Sequence, residues 1–287
     1  MCVNPTGVTV HSESEPDVLD DRLSGKVAVI SGAGSRGPGI GIGRACAVRL
    51  AQSGAHVVLV DNVGANLEGT VQMCASLGVH VSAVVADVAD DSICRSLAAD
   101  VLEQHGRVDI LVNNVGVTGP SGSVVDIDLG AWRTCLRINI DSVLLLSRYL
   151  IPAMAGSGAI VNMASVAALR GGHPSVAYSA SKGALLSLTQ AMAAMHGPDG
   201  IRVNAVAPGL VHTPLMDAQG LEEHARRLRA EAAPLRIEGT GWDVAEAVRY
   251  LAGPESRWTT GIVLPVDAGL TSSIDPGRAP TVTGRGN

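Results

Sequence analysis

Residues 26–61 read KVAVISGAGSRGPGIGIGRACAVRLAQSGAHVVLVD, and this stretch decides the fold. Within KVAVIS (26–31) the four residues 27–30 are continuously apolar, the pattern of a strand buried on both faces. A run of glycines follows. From near Ile42 the chain becomes helical, and after a short turn HVVLVD (56–61) is strand-like again. Strand, glycine-rich turn, helix and strand together make a βαβ unit, whose two strands lie parallel.

The alternation continues to the other end of the chain. VSAVVA (81–86), DILVNN (109–114), AIVNMA (159–164), RVNAVA (202–207) and IVLPVD (262–267) are predicted strands. Helices are predicted over 42–53, 64–77, 90–105, 128–155, 175–196, 214–231 and 242–252. The expected fold is α/β, a doubly wound parallel sheet of the Rossmann type with about seven strands in a single domain. That domain is expected over residues 24–273, with a flexible N-terminal arm at 1–23 and a C-terminal tail at 274–287.

Composition narrows the function. The 287 residues are 46% hydrophobic and 17% charged, with no Phe. A net charge of −6 and the lack of any basic run argue against a nucleic-acid partner. No apolar stretch is long enough to span a membrane. The first twenty residues lack the order of a signal peptide. The five cysteines are scattered singly, which points to free thiols, a cytoplasmic location and no metal site.

The glycine-rich turn has a chemical reading. Glycines let a backbone approach a pyrophosphate closely, and the helix that follows offers free N–H groups to phosphate. Asp61 ends the second strand about twenty residues on, where a carboxylate accepts from ribose hydroxyls and repels a 2′-phosphate. NAD is therefore expected rather than NADP, with Arg36 in the turn as a counter-signal. Far along the chain a second pattern stands out. Only two lysines occur among the 21 basic residues, and Lys182 follows Tyr178, one of three tyrosines, by four positions. About 0.02 such pairs are expected by chance. At i and i+4 of a helix the phenol and the ammonium share a face, and the cation favours the ionised phenol.

These motifs, in order, resemble those of the classical short-chain dehydrogenase/reductase family over roughly residues 23–272. They are the glycine turn, Asp87-Val88, Asn113-Asn114-Val115-Gly116, Asn139, Ser165, Tyr178 with Lys182, Pro208-Gly209 with Thr213, and Val266-Asp267-Ala268-Gly269. Three features depart from the family pattern. Five extra residues separate Gly32 from Gly41-Ile42-Gly43, and Ser31 stands where threonine is usual; Val115 also replaces the usual alanine. The resemblance aligns the helix start with Gly41, Ile42 and Gly43, while Gly37 and Gly39 remain alternative phosphate contacts.

The resemblance implies Tyr178 as general acid/base and Lys182 lowering its pKa while holding the cofactor ribose. Ser165 would hydrogen-bond the substrate oxygen, and Asn139 would anchor a water. The cofactor would be held by Gly32, Gly34, Arg36, Gly41, Ile42 and Gly43 at the turn and by Asp61, Asp87 and Val88 near the adenosine. Asn114, Gly116, Pro208, Gly209, Val211 and Thr213 would complete its site, with Tyr178 and Lys182. Helix-cap roles for Asp87 and Thr213 remain open.

The expected substrate is a hydrophobic secondary alcohol or its ketone, because residues 166–173 and 210–235, the expected pocket walls, are mainly aliphatic. Arg226, Arg227 and Arg229 read as a solvated helix face, with an anion-greeting cluster as the alternative. Surplus apolar residues on helices 128–155 and 175–196 point to subunit contact, and the resemblance implies a homotetramer. Three other functions compete: a lyase of the halohydrin dehalogenase type, a non-catalytic dinucleotide sensor, and a 3-oxoacyl reductase within the same family. Lys182 and Asp61 disfavour the first, the retained Tyr-Lys pair the second, and Asp61 with the acidic balance the third.

Overall fold

A computed structural model describes residues 20–154, 156–218 and 220–273. Seven strands form one parallel sheet: β1 (Val27–Ser31), β2 (His56–Asp61), β3 (Val81–Val85), β4 (Ile110–Asn113), β5 (Gly158–Met163), β6 (Ile201–Pro208) and β7 (Val263–Val266). Their order is β3-β2-β1-β4-β5-β6-β7. Order reverses between β1 and β4, the point at which doubly wound sheets open a crevice at their carboxyl ends.

Successive side chains of β1 face opposite ways, and both faces are covered. Ala28 and Ile30 pack with α1 (Ile42–Gln52), α2 (Gly64–Ala75) and α9 (Gly241–Ala252). Val27 and Val29 pack on the other face with α3 (Asp91–His105), α5 (Ser142–Leu150) and α6 (Val176–His196). With no Phe available, close packing comes from small residues. Ala45, Cys46 and Ala47 of α1 are completely buried. A buried polar chain ties β4 to β5: Asn113 Nδ2 donates to Asn162 Oδ1 at 2.9 Å, and Asn162 Nδ2 donates to Thr189 Oγ1 at 3.0 Å.

Strand ends fall within one residue of their expected positions, but two helices differ. The expected helix 128–155 is α4 (Leu129–Leu136) and α5 joined by a π-helical turn, Arg137–Asp141. The expected helix 214–231 is a five-residue α7 (Pro214–Ala218) and a separate α8 (Glu223–Glu231). Gly220, at φ +78°, lies in the break. Residues 1–19 of the expected arm and the whole expected tail lie outside the described residues. Leu23, within the expected arm, is buried, and its N–H donates to Ser53 O at 2.8 Å.

The amino edge of the sheet is fastened by a buried carboxylate. Asp109 accepts from Lys26 Nζ at 3.1 Å, from the Val27 N–H at 3.0 Å and from Arg107 Nε at 2.9 Å. Burial pushes its pKa upward, but these donors outweigh it and hold the carboxyl below its ordinary value. A depressed carboxylate pKa contributes stability above the unfolded value and loses it as pH falls through the folded one. Asp109→Asn is expected to cost about 2–3 kcal/mol at pH 7. The difference from the wild type should shrink as urea melts are taken from pH 5 down to pH 3.

Candidate active site

A cleft of about 1090 Å³ opens at the carboxyl ends of the strands. Its first wall is the β1–α1 turn. Gly32 has φ +64°, and a Cβ on Gly43 would stand 1.9 Å from Gly32 O. Only glycine at position 43 lets α1 begin this close to β1. Gly41 caps α1 without a side-chain hydrogen bond, and the first turn carries no acidic residue. The leading N–H groups of α1 are therefore free to meet an anion. Asp61 closes the turn from the side: Oδ2 accepts from Gly34 N at 3.2 Å and Oδ1 from Val63 N at 3.0 Å. A Cβ on Gly34 would lie 2.7 Å from that same Oδ2.

The five-residue insertion bends away from this cradle. Gly34, Arg36, Gly41, Ile42 and Gly43 line the cleft, whereas Gly37 and Gly39 do not. A Cβ on Gly39 would meet Pro214 Cγ at 3.3 Å. The buried Arg44 holds the excursion: Nη1 donates to Gly39 O at 2.7 Å and Nε to Thr70 Oγ1 at 3.0 Å. Sequence reasoning missed Arg44, and no spacing signal marks it.

The second wall is built by α6. Ser175 caps this helix by accepting from Tyr178 N at 3.2 Å, which fixes Tyr178 in the first turn and Lys182 one turn later. Lys182 Nζ lies 5.8 Å from the centre of the Tyr178 ring and donates to Met163 O at 2.7 Å. A Cβ on Gly116 would approach that Nζ to 3.0 Å, so glycine keeps the ammonium's surroundings open. His173 packs against Tyr178 with ring centres 4.5 Å apart, and its Nδ1 accepts from Ser175 N at 3.1 Å.

Electrostatically the pair differs from the expectation. Burial lowers the pKa of Lys182 to about 8. Burial also raises that of Tyr178; only the nearby Ser165 hydroxyl pulls it back. Both groups are desolvated, and this opposes their charged forms more strongly than proximity favours them.

Besides Gly37 and Gly39, the one residue given a catalytic or cofactor role from the sequence that does not line the cleft is Asn139. It lies in the π-helical turn, fully buried. Its Oδ1 accepts from Val117 N at 2.8 Å, and its Nδ2 donates to Val117 O at 2.9 Å and to Ser181 Oγ at 2.8 Å. π-Helical turns of this kind concentrate at functional sites. This one clamps the loop segment that follows Gly116 against α6. Asn113 also stays off the cleft and serves as the strap described above. Asp87 lines the cleft and accepts from Ala89 N at 3.0 Å, while the cap of α3 is Asp90. The Thr213 hydroxyl has no hydrogen bond among the described residues. Arg170 and Arg229, both within the expected pocket walls and the latter in the arginine cluster weighed above, also line the cleft; so does Asn66, which the sequence did not single out.

A reversed-order parallel sheet, an uncapped helix start and a Tyr-Lys pair on one crevice define a Rossmann-type nucleotide-binding protein. A family model described as enoyl-(acyl carrier protein) reductase matches residues 38–271. Meso-2,3-butanediol dehydrogenase of Serratia marcescens is 37% identical over 88% of this chain and 97% of its own. A 3-oxoacyl-[acyl-carrier-protein] reductase of Thermotoga maritima is 34% identical over 87% and 99%. Carveol dehydrogenase of Mycobacterium avium, solved in complex with NAD, superposes with a TM-score of 0.82 at 31% identity, over 88% of this chain and all of that one. The chain belongs to the short-chain dehydrogenase/reductase family.

The lowered lysine pKa yields a stability test. A buried ammonium destabilises the fold below its folded pKa, and the penalty fades as pH rises from there toward the unfolded value. Lys182→Met is therefore expected to stabilise the ligand-free protein by about 1–2 kcal/mol at pH 7, after subtracting one lost hydrogen bond. The gain over the wild type should diminish between pH 8 and 10 in denaturant titrations.

Proposed function

We propose that this protein is an NAD(H)-dependent oxidoreductase that interconverts a secondary alcohol and its ketone, with Tyr178 as general acid/base. The observation that carries the reading is that Tyr178 and Lys182 line the same cleft as the uncapped start of α1 and Asp61. The cradle fits a dinucleotide. Gly32, Gly34, Gly41, Ile42 and Gly43 leave room for a pyrophosphate against free N–H groups. Asp61 would meet the adenosine ribose, with Arg36, Asp87 and Val88 beside it. Asn114, Gly116, Pro208, Gly209, Val211 and Thr213 would hold the nicotinamide half, and Lys182 its ribose. Bound NAD supplies or accepts the hydride.

The chain's own residues handle the proton and the oxygen. In oxidation, Tyr178 takes the proton of the substrate hydroxyl; in reduction, its O–H donates to the carbonyl oxygen as charge builds there. Ser165 provides the second hydrogen bond and also biases Tyr178 toward phenolate. Asn139 keeps Val117 and Ser181 in place; its side chain is a clamp, and any water it anchors would rest on its backbone.

The substrate wall is largely aliphatic, formed by Val166, Leu210, Leu215, Met216 and Leu270, which suits a hydrophobic carbinol. Activity on a 3-oxoacyl substrate is the second reading, favoured by the 34% identity to the Thermotoga reductase. A homotetramer is supported by Leu144, an apolar residue exposed on α5. A cytoplasmic location is supported by the buried cysteines Cys46, Cys94 and Cys135, none of which is in a disulfide. Among those residues no helix is long and apolar enough to cross a membrane.

Tyr178→Phe tests the mechanism. It should lower kcat/KM by about 10²–10⁴-fold while NADH still binds and quenches protein fluorescence. Retention of turnover would reject the assignment. Asp61→Ser tests cofactor choice. Removing the carboxylate beside Arg36 should raise the NADP-to-NAD ratio of kcat/KM by roughly tenfold or more, read by absorbance of the reduced nicotinamide.

A further inference from the structure

Of the cleft arginines unused by the chemistry above, Arg137 faces Asp87 at 3.9 Å, while two others, Arg170 and Arg229, face no carboxylate within ion-pair distance. Arg170 follows the turn after β5, and Arg229 is in the last turn of α8; both line the cleft that contains Tyr178. Each is held by one backbone carbonyl. Arg170 Nη1 donates to Leu270 O at 2.6 Å and Arg229 Nη2 to Val211 O at 3.2 Å. Neither forms an ion pair among the described residues.

The contrast within α8 is informative. Arg226, one turn earlier, is paired with Glu238 and Glu223. Carboxylates in the surroundings of Arg229 are already committed. Glu238 accepts from Arg226 Nε at 3.0 Å. Asp243 accepts from Thr240 N at 2.7 Å, and Asp267 accepts from Thr271 N at 2.8 Å and Gly269 N at 2.9 Å. Asp243 and Asp267 share a side pocket of about 170 Å³ with Arg229, but neither pairs with it.

A guanidinium does not shed its proton at neutral pH. Burial makes Arg229 a poorer host for its charge than water, and Glu238 offsets this only at a distance. A partly buried cation whose neighbouring carboxylates are spent is neutralised best by an anion from outside. The wall beside it is apolar, built from Val166, Leu210 and Leu270. An aliphatic body ending in one negative group matches both features.

We propose that the substrate is a hydroxy acid or its oxo acid, whose carboxylate, remote from the reacting carbon, is gripped by Arg229 and Arg170. This rests on the oxidoreductase reading and names its substrate class. The planar forks of arginine suit a carboxylate, which they bind through paired N–H donors.

The test uses the full chain saturated with NADH and two unreactive probes, 4-methylpentanoate and its amide. At about 20 mM the carboxylate should raise Tm by about 2 °C or more, and the amide should not. Arg229→Met and Arg170→Met should each weaken carboxylate binding roughly tenfold. Arg227→Met, on the exposed side of the same helix, should retain it. The proposal is overturned if the carboxylate gives no shift, if the amide matches it, or if the shift survives both cleft variants. It also falls if these variants weaken NADH binding instead, because the arginines would then serve the cofactor's phosphates. Oxidation of a panel of hydroxy acids and their methyl esters reports on the underlying reading. A retained carboxylate shift without any turnover of acid, ester or neutral alcohol would sink the oxidoreductase assignment and leave the anion site standing.

Discussion

The contact between Gly43 and the Gly32 carbonyl sets the geometry of the whole cleft. No side chain fits between them, so α1 starts directly against the end of β1. The same carbonyl accepts from Asn114 Nδ2 at 2.9 Å, and Ser31 Oγ accepts from Asn114 N at 3.1 Å. Through these bonds the end of β4 is tied to the turn after β1. Asp61 ties in the end of β2 through Gly34. Three strand ends and one helix start thus share one small set of backbone contacts. An insertion in this turn has no slack to exploit inside, so the extra residues bulge toward Pro214 and are held by Arg44.

Across the cleft, burial and charge work against each other. The Tyr178–Lys182 spacing suggests mutual stabilisation of phenolate and ammonium, but both groups are taken out of water and both resist charging. Met163 O is the hydrogen-bond acceptor that keeps the ammonium in position. Such a pair costs stability in order to be placed, a common feature of sites that must move protons.

Strands were legible from sequence because burial on both faces leaves unbroken runs of Val, Ile and Ala, ended by Gly, Asn or Asp. The cleft was legible because its chemistry uses rare residues in fixed order: two lysines, three tyrosines, clustered glycines. Other parts left no trace. The π-helical turn at Arg137–Asp141 has no Gly or Pro to mark it, and the bonds from Asn139 to the Val117 backbone that accompany it are long-range in sequence. Gly220 did mark the break between α7 and α8, but the charged run beyond it masked the signal. Arg44 and Arg229 look like surface arginines until the fold shows what surrounds them. The sense of the pKa shifts was also hidden, because desolvation depends on neighbours distant in sequence.

The scarcity of lysine has a practical side. Of the two side-chain amines, one, on Lys182, lines the cleft but is only 3% exposed, and the other, on Lys26, is 37% exposed at the amino edge of the sheet. Acylating reagents that seek primary amines therefore have one side-chain target in the described fold, on the face opposite the crevice. Coupled to a bead or an electrode through Lys26, the molecules would present their openings outward without any engineered tag.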